Sequence, residues 1–188
     1  MWNLRVFSTD LYHAVNWFLL YSILGWFLES AYMSFCNKRL TNRGFVRGPI
    51  CPIYGVGFLG AYFLFSPIAH NKILLYVAGC VSATILEFLV AKIMIRTLGA
   101  VWWDYKDKPF NYKGILCLES TLAWGLYAVC LFLFVHKWIS ALADSYSMTF
   151  GKILVIAAAV YYIADFAYCV AKAKNNEGLD KDGILSVK

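Results

Sequence analysis

The sequence predicts an all-α integral membrane protein, a bundle of about five transmembrane helices. Hydrophobic residues make up 61% of the 188 positions and charged residues only 15%, whereas soluble domains carry about 25% charged residues. The apolar residues also occur in runs of the required length, because a span needs about 20 of them to cross the hydrocarbon core. We therefore expect one polytopic membrane domain over residues 1–175 and a polar cytoplasmic tail over residues 176–188.

Five segments are long and apolar enough to span the bilayer. The predicted spans cover residues 11–35, 49–67, 73–96, 115–135 and 152–171. The second span is the shortest, and a loop with Gly48, Pro49 and Pro52 leads into it. Proline suits the first turn of a helix, so we expect the helix to start at Pro49 and to be loosened at Pro52. The glycines that follow either pack this span tightly or form a broken entry to a polar cavity.

Lysines and arginines are distributed unevenly between the two sides of a five-span chain. One side holds twelve of the seventeen and the other side holds four. The twelve are Lys38, Arg39, Arg43, Arg47, Arg96, Lys106, Lys108, Lys113, Lys172, Lys174, Lys181 and Lys188. Because cytoplasmic loops carry the excess of basic residues, we expect the N-terminus outside and the C-terminus inside. This topology accounts for the net charge of +6, so the charge does not indicate nucleic-acid binding.

Two stretches share one pattern, which suggests a parallel internal repeat of spans one and two in spans three and four. Glu29 is followed by a basic loop and the motif Gly48-Pro-Ile-Cys51, and Glu87 by a longer loop and Gly114-Ile-Leu-Cys117. Parallel repeats of this kind occur in transporters, although chance similarity is the alternative for so short a match. If the repeat holds, Gly48 and Gly114 mark equivalent turns at which the chain re-enters the membrane.

Four acidic residues lie inside predicted spans and form the strongest chemical signal. They are Glu29, Glu87, Glu119 and Asp165. Each is about 7 to 14 Å from the cytoplasmic end of its span, at the helical rise per residue. A charge at that depth costs about 3 kcal/mol on insertion scales, so these groups should face the bundle interior. Small residues share a helix face with Glu29 and with Glu87, and we expect spans one and three to pack together there.

Such carboxylates could bind a cation, relay protons or hold a positively charged substrate. In the structural alternative they pair with basic side chains that reach in from the cytoplasmic side, and so lock the helices together. The candidates for that pairing are Arg43, Arg47, Lys92 and Arg96. Tyr54, Trp103 and Asp104 complete the set of candidate binding residues, and Trp103 also suits an anchor at the membrane–water interface.

Several classes of function find no support in the sequence. There is no Walker A or dinucleotide-binding pattern, so any ATP hydrolysis requires a separate ATPase subunit. Serine and cysteine residues lack a histidine on the same side, so an acyl-transfer triad is not expected, and we name no catalytic residue. No close Cys or His pair nucleates a metal site. The expected partners are therefore the lipid bilayer and either an ATPase subunit or further copies of this chain.

Three motifs in this sequence resemble those of a known family. LGWFLESAY (24–32), NRGFVRGPICPIYGVG (42–57) and WWDYKDKPFNYKGILC with the later LAWG (102–117, 122–125) are similar to the ABC-transporter type IV membrane proteins, commonly labelled "putative ABC transporter permease". The resemblance covers about two-thirds of the chain. It implies a bacterial cytoplasmic membrane and a transport role, and it implies no particular substrate or catalytic residue.

Three functional hypotheses follow from these observations. The first is a small transporter or permease-type subunit with an intramembrane carboxylate site near the cytoplasmic side. The second is an intramembrane enzyme or lipid-handling protein, in which the acids work beside Arg43 and Arg47 while these arginines grip a phosphate headgroup. The third is a structural or accessory membrane subunit.

Overall fold

A computed structural model describes residues 2–6, 9–101 and 103–174, with side chains up to Lys172. The described chain contains six α-helices and four two-residue strands. The helices are α1 (Leu11–Asn37), α2 (Pro52–Phe65), α3 (Lys72–Leu98), α4 (Leu118–Cys130), α5 (His136–Ser145) and α6 (Met148–Lys174). The strands are β1 (Arg5–Val6), β2 (Thr9–Asp10), β3 (Asn111–Tyr112) and β4 (Leu116–Cys117). The tail predicted over residues 176–188 lies outside the described residues.

Four helical stretches are long and apolar enough to cross a membrane. They are Leu11–Asn37, Lys72–Leu98, Leu118–Ser145 and Met148–Lys172, and Pro52–Ile68 forms a shorter apolar helix. These stretches correspond to the five predicted spans, the second again being the shortest. The prediction of an all-α membrane bundle is therefore confirmed.

The second helix begins later than the sequence suggested. Its first residue is Pro52, and Pro49 is an exposed residue of the preceding loop, so the prediction that the helix starts at Pro49 is wrong. Because Pro52 occupies the first turn, it has no helical hydrogen bond to lose and does not loosen the helix. A Cβ at Gly55 would lie 2.5 Å from the Ser22 hydroxyl oxygen, so this glycine permits close packing against α1.

The fourth helical stretch extends further than the predicted span of residues 115–135. It begins at Leu118, and a π-helical turn over Leu131–Val135 joins α4 to α5, which continues to Ser145. The predicted end at residue 135 lies just before His136 and Lys137, which interrupt the apolar run. The backbone continues as a helix through these polar residues, since an amphipathic helix tolerates them on one face.

The described chain divides into two compact units. One unit comprises Met1–Leu59 with Ile139–Lys188, and the other comprises Gly60–Trp138. In the first unit, β1 and β2 form a short antiparallel hairpin that leads directly into α1. Asp10 caps this helix by accepting a hydrogen bond from the His13 N–H at 3.0 Å. The His13 ring also bridges two carboxylates, with Nδ1 2.7 Å from Asp10 Oδ2 and Nε2 2.9 Å from Asp144 Oδ1.

The loop over residues 38–51 is a packed part of the first unit. Ile50 belongs to an apolar cluster with Leu19 of α1 and Val155 of α6. Val46 packs with Cys169 of α6 in a second cluster. Buried side chains of the loop therefore contact both long helices of this unit, and they fix the positions of the polar residues between them.

In the second unit, α3 and α4 pack closely along small residues. A Cβ added at Gly79 would lie only 2.5 Å from the Ala128 Cβ. More than one helical turn away from this contact, the hydroxyl oxygens of Thr84 in α3 and Thr121 in α4 are 2.9 Å apart. Between these helices in sequence, β3 and β4 form a short antiparallel hairpin. This packing places the start of α4 beside the polar residues of α3.

Candidate functional site

Glu29 of α1 is held by two donors from the segment that follows it in the chain. The Tyr54 hydroxyl donates to Oε2 at 2.6 Å, and the Arg43 Nε donates to Oε1 at 3.3 Å. The Glu29 side chain is 25% exposed and that of Arg43 is 10% exposed. Both oxygens of the carboxylate are thus engaged, but part of the group is open to an incoming molecule.

Two local features place these donors. Gly25 lies one turn before Glu29, and a Cβ at this position would be 2.1 Å from the Tyr54 ring. The absent side chain therefore lets the tyrosine lie flat against α1 and reach the carboxylate. The Arg43 backbone N–H donates to the Ser30 hydroxyl at 3.2 Å, which anchors the loop beside the helix.

Asp165 of α6 is the most deeply buried carboxylate of the first unit. Its side chain is 2% exposed. Oδ1 accepts a hydrogen bond from Arg47 Nε at 3.0 Å, and Oδ2 accepts one from the Gly48 backbone N–H at 2.8 Å. The burial of this charge is thus offset by one cation and one backbone donor, both from the 38–51 loop.

The Arg47 guanidinium also lies on an aromatic ring. Its Cζ is 4.3 Å from the centroid of the Tyr168 ring, one turn beyond Asp165. Beside it, a Cβ at Gly48 would meet the Tyr161 ring at 2.5 Å. Gly48 therefore lets the loop backbone approach α6 closely enough for its N–H to reach Asp165. Gly48, predicted as a turn residue, is thus also a contact point with α6.

In the second unit, buried Glu87 of α3 is met by hydroxyl groups. The Tyr105 hydroxyl donates to Oε1 at 2.9 Å, and the Ser120 hydroxyl lies 3.5 Å from Oε2. Tyr105 is positioned by its backbone N–H, which donates to the Gly114 carbonyl at 2.8 Å. Gly114 has a φ of +71°, a left-handed conformation that glycine adopts without the usual penalty.

The two remaining candidates lie in the loop between α3 and α4, and they differ in their surroundings. Trp103 is buried, and its indole N–H donates to the Ile115 carbonyl at 2.9 Å. Asp104 is exposed, and it accepts a hydrogen bond from the Lys106 backbone N–H at 3.0 Å. Trp103 therefore supports the loop from inside, and Asp104 shapes a turn at its surface.

Glu119 lies in a different environment from the other three acids. It is in the first turn of α4 and its side chain is 58% exposed, with Lys108 Nζ 2.9 Å from Oε2. The structure thus places Glu119 at a helix end, although the sequence suggested a position inside the span. An acidic residue at this point is favoured by the helix dipole.

The repeated motif has a matching local structure in each unit. After Cys51 the chain enters α2 at once, and after Cys117 it enters α4 at once. The third residue after each cysteine carries a hydroxyl that reaches the preceding glutamate, namely Tyr54 in one unit and Ser120 in the other. In both units, the motif Gly-x-x-Cys therefore marks a helix start that supplies a hydroxyl partner for an acid on the preceding long helix.

Sequence reasoning missed Tyr105 and Ser120 as partners of Glu87. The alignment of the two motifs contains the signal for Ser120, since it holds the position of Tyr54. Tyr105 carries no such signal, because a tyrosine near the end of a span is equally expected as an interface anchor. Among the described residues, no group of three or more His, Cys, Asp or Glu side chains is placed to hold a metal ion.

A family comparison matches residues 16–170 to the family described as "Putative ABC-transporter type IV". Comparisons with curated proteins and with solved structures give no match. The matched segment spans most of the chain, from the second turn of α1 to the last turns of α6. This protein therefore belongs to the putative ABC-transporter type IV family of membrane proteins.

Proposed function

We propose that this protein is a transport-type membrane subunit whose polar binding groups are acids on apolar helices, Glu29 and Asp165 in the first unit and Glu87 in the second. The observation that carries the proposal is that each acid lies on an apolar helix and is met by hydrogen-bond donors from a neighbouring segment. An acidic residue in the middle of a span costs about 3 kcal/mol on insertion scales. Ionisable groups at this position are rare unless they serve a substrate or an ion.

Of these three acids, Glu29 is the one that is open to a substrate. It is 25% exposed, whereas Asp165 and Glu87 are buried. A cation that approaches Glu29 competes with Arg43 for one carboxylate oxygen, while the Tyr54 hydroxyl continues to hold the other. The substrate class is therefore cationic, and the buried Asp165 serves to fix the loop that carries Arg43.

Binding of a cation tests this proposal directly. We expect one or more of Na⁺, K⁺, Mg²⁺, Mn²⁺ and spermidine to raise the unfolding temperature of the purified protein in detergent. Glu29→Gln should abolish this increase, because the amide keeps the shape of the side chain and removes its charge. Glu119→Gln is the matched control, since Glu119 is exposed at a helix end, and it should retain the full increase. Equal responses of the two variants would contradict the proposal, as would the lack of any response in the wild type.

The energy for transport must come from outside this chain, which has no nucleotide-binding pattern. Either a separate ATPase subunit supplies it or the gradient of the transported ion does. We place the protein in a bacterial cytoplasmic membrane. The distribution of basic residues supports an orientation with the N-terminus outside and the C-terminus inside. Alternatively, the protein forms a homo-oligomer and has no separate partner subunit.

Labelling of single cysteines checks this orientation. Cys36 is exposed near the end of α1, so a membrane-impermeant maleimide should label it in inside-out vesicles and leave it unlabelled in right-side-out vesicles. Cys51 is the internal control, because its thiol is buried, and it should stay unlabelled in both. Labelling of Cys36 from the outer side would overturn the proposed topology.

A further inference from the structure

Arg47 is fixed on two sides by its neighbours. Its Nε donates to Asp165 Oδ1 at 3.0 Å, and its Cζ lies 4.3 Å from the centroid of the Tyr168 ring. A guanidinium carries five N–H donors in a rigid, planar arrangement. One of them is used by Asp165, and the ring contact covers one face of the plane. The group is therefore oriented before any ligand arrives.

The outer edge of the same guanidinium is open. Within the part of the chain that the structure describes, neither Nη nitrogen has a hydrogen-bond acceptor, and the side chain is 53% exposed. Arg43 differs in this respect, because its side chain is only 10% exposed and is directed at Glu29. Of Arg43 and Arg47, it is thus Arg47 that has donors to offer to an external anion. An open pair of Nη groups matches the oxygens of a phosphate.

Arg47 also lies at the level expected for lipid headgroups. The apolar stretch of α6 ends at Lys172, and Tyr168 is one helical turn before that end, about 6 Å at the helical rise. Residues four apart share a helix face, so Lys172 lies on the same side of α6 as Tyr168. Tyrosine and lysine at the end of a span are typical of the membrane–water interface. Lys38 and Arg39 at the start of the loop add further positive charge.

We propose that Arg47 binds a phosphate group, and that a phosphate-bearing lipid of the surrounding bilayer supplies it. The Arg47 Nη groups donate to two phosphate oxygens, and Lys172 adds a second positive charge. The site is separate from cation binding at Glu29 and does not depend on it. It gives the 38–51 loop a direct contact with the lipid headgroups, in addition to its contact with α6.

Native mass spectrometry of the purified protein tests the site with two lipids of identical acyl chains. We expect phosphatidylglycerol to bind at least about tenfold more tightly than diacylglycerol, which lacks the phosphate. Arg47→Gln should remove this preference. Arg96→Gln is the matched control, because Arg96 is exposed in the last turn of α3, and it should keep the preference. Unchanged phosphatidylglycerol binding in Arg47→Gln would overturn the proposal.

Two further experiments complete the test, one with a conservative variant and one with inorganic phosphate as a competitor. Arg47→Lys keeps a charge for Asp165 and loses the paired Nη groups, so it should fold and bind phosphatidylglycerol several-fold more weakly. Wild-type affinity in this variant would contradict the proposed geometry. Inorganic phosphate at millimolar concentration should leave lipid binding unchanged, because the acyl chains and the interface contribute to affinity. If inorganic phosphate instead displaces the lipid, the site takes soluble phosphate and the lipid assignment is wrong.

Discussion

Asp165→Ala is expected to lower the free energy of unfolding by about 2 to 3 kcal/mol. The side chain is 2% exposed, and its removal leaves the buried Gly48 N–H without an acceptor. An unsatisfied buried donor alone costs about 1 to 3 kcal/mol. The loss of the ion pair adds less than it would in a fully buried pair, because Arg47 is half exposed and can be hydrated. Thermal or denaturant unfolding of the protein in detergent measures the effect.

Two further variants separate the contributions to this loss. Asp165→Asn keeps an acceptor for Gly48 and removes only the charge, so its destabilisation should be smaller than that of Asp165→Ala. Glu119→Ala removes an exposed ion pair with Lys108 and should change the stability by less than about 1 kcal/mol. If the three variants unfold alike, the burial of Asp165 contributes nothing specific to stability.

Gly79→Ala should lower the stability of the protein, whereas Gly60→Ala should leave it unchanged or raise it. Alanine has a higher helix propensity than glycine, by about 1 kcal/mol at an open position. A Cβ at Gly60 meets no atom within 4 Å, so Gly60→Ala should be neutral or stabilising. A Cβ at Gly79 would lie 2.5 Å from the Ala128 Cβ and 3.3 Å from the Gly125 Cα. Overpacking of this kind typically costs about 1 to 3 kcal/mol, and the atoms that the new Cβ would meet are the Ala128 methyl group and helix backbone, none of which is the end of a flexible side chain.

Leucine at the same two positions should give a larger difference in stability than alanine. Gly79→Leu should prevent the close packing of α3 and α4, and the yield of monodisperse protein after size-exclusion chromatography should fall sharply. Gly60→Leu serves as the control with the same change in volume and should remain monodisperse. A monodisperse Gly79→Leu variant with an unchanged unfolding temperature would show that the two helices do not rely on this contact.

The long helices were predictable because length and hydropathy decide them. Every predicted span corresponds to an apolar helix, and the errors lie at the ends. The start of α2 was misplaced because both Pro49 and Pro52 suit a first turn, and only tertiary contacts select between them. The extension through His136 was missed because polar residues interrupt the apolar run without interrupting the backbone hydrogen bonds.

The site was predictable in part. An acid within an apolar run is visible in a sequence, which is why Glu29, Glu87 and Asp165 could be named. Their partners depend on how loops fold back, and no local pattern records that Tyr105 meets Glu87 or that Gly48 meets Asp165. The predicted position of Glu119 inside a span was wrong. The helix starts three residues later than predicted, at Leu118, so Glu119 lies in its first turn. The packing of span one beside span three stays a prediction.

The division of the first unit into two distant parts of the chain has a consequence for biosynthesis. Arg47 and Asp165 are 118 positions apart, so the ribosome releases the loop long before it releases α6. The second unit is continuous over Gly60–Trp138, and its internal contacts are available as soon as that segment has been inserted. Until the last helix enters the membrane, Arg47 and the Gly48 N–H must be hydrated or held by the insertion machinery. In a nascent chain that stalls before residue 165, the second unit is already assembled but the first unit is incomplete. Quality-control proteases should therefore recognise such a chain by its first unit.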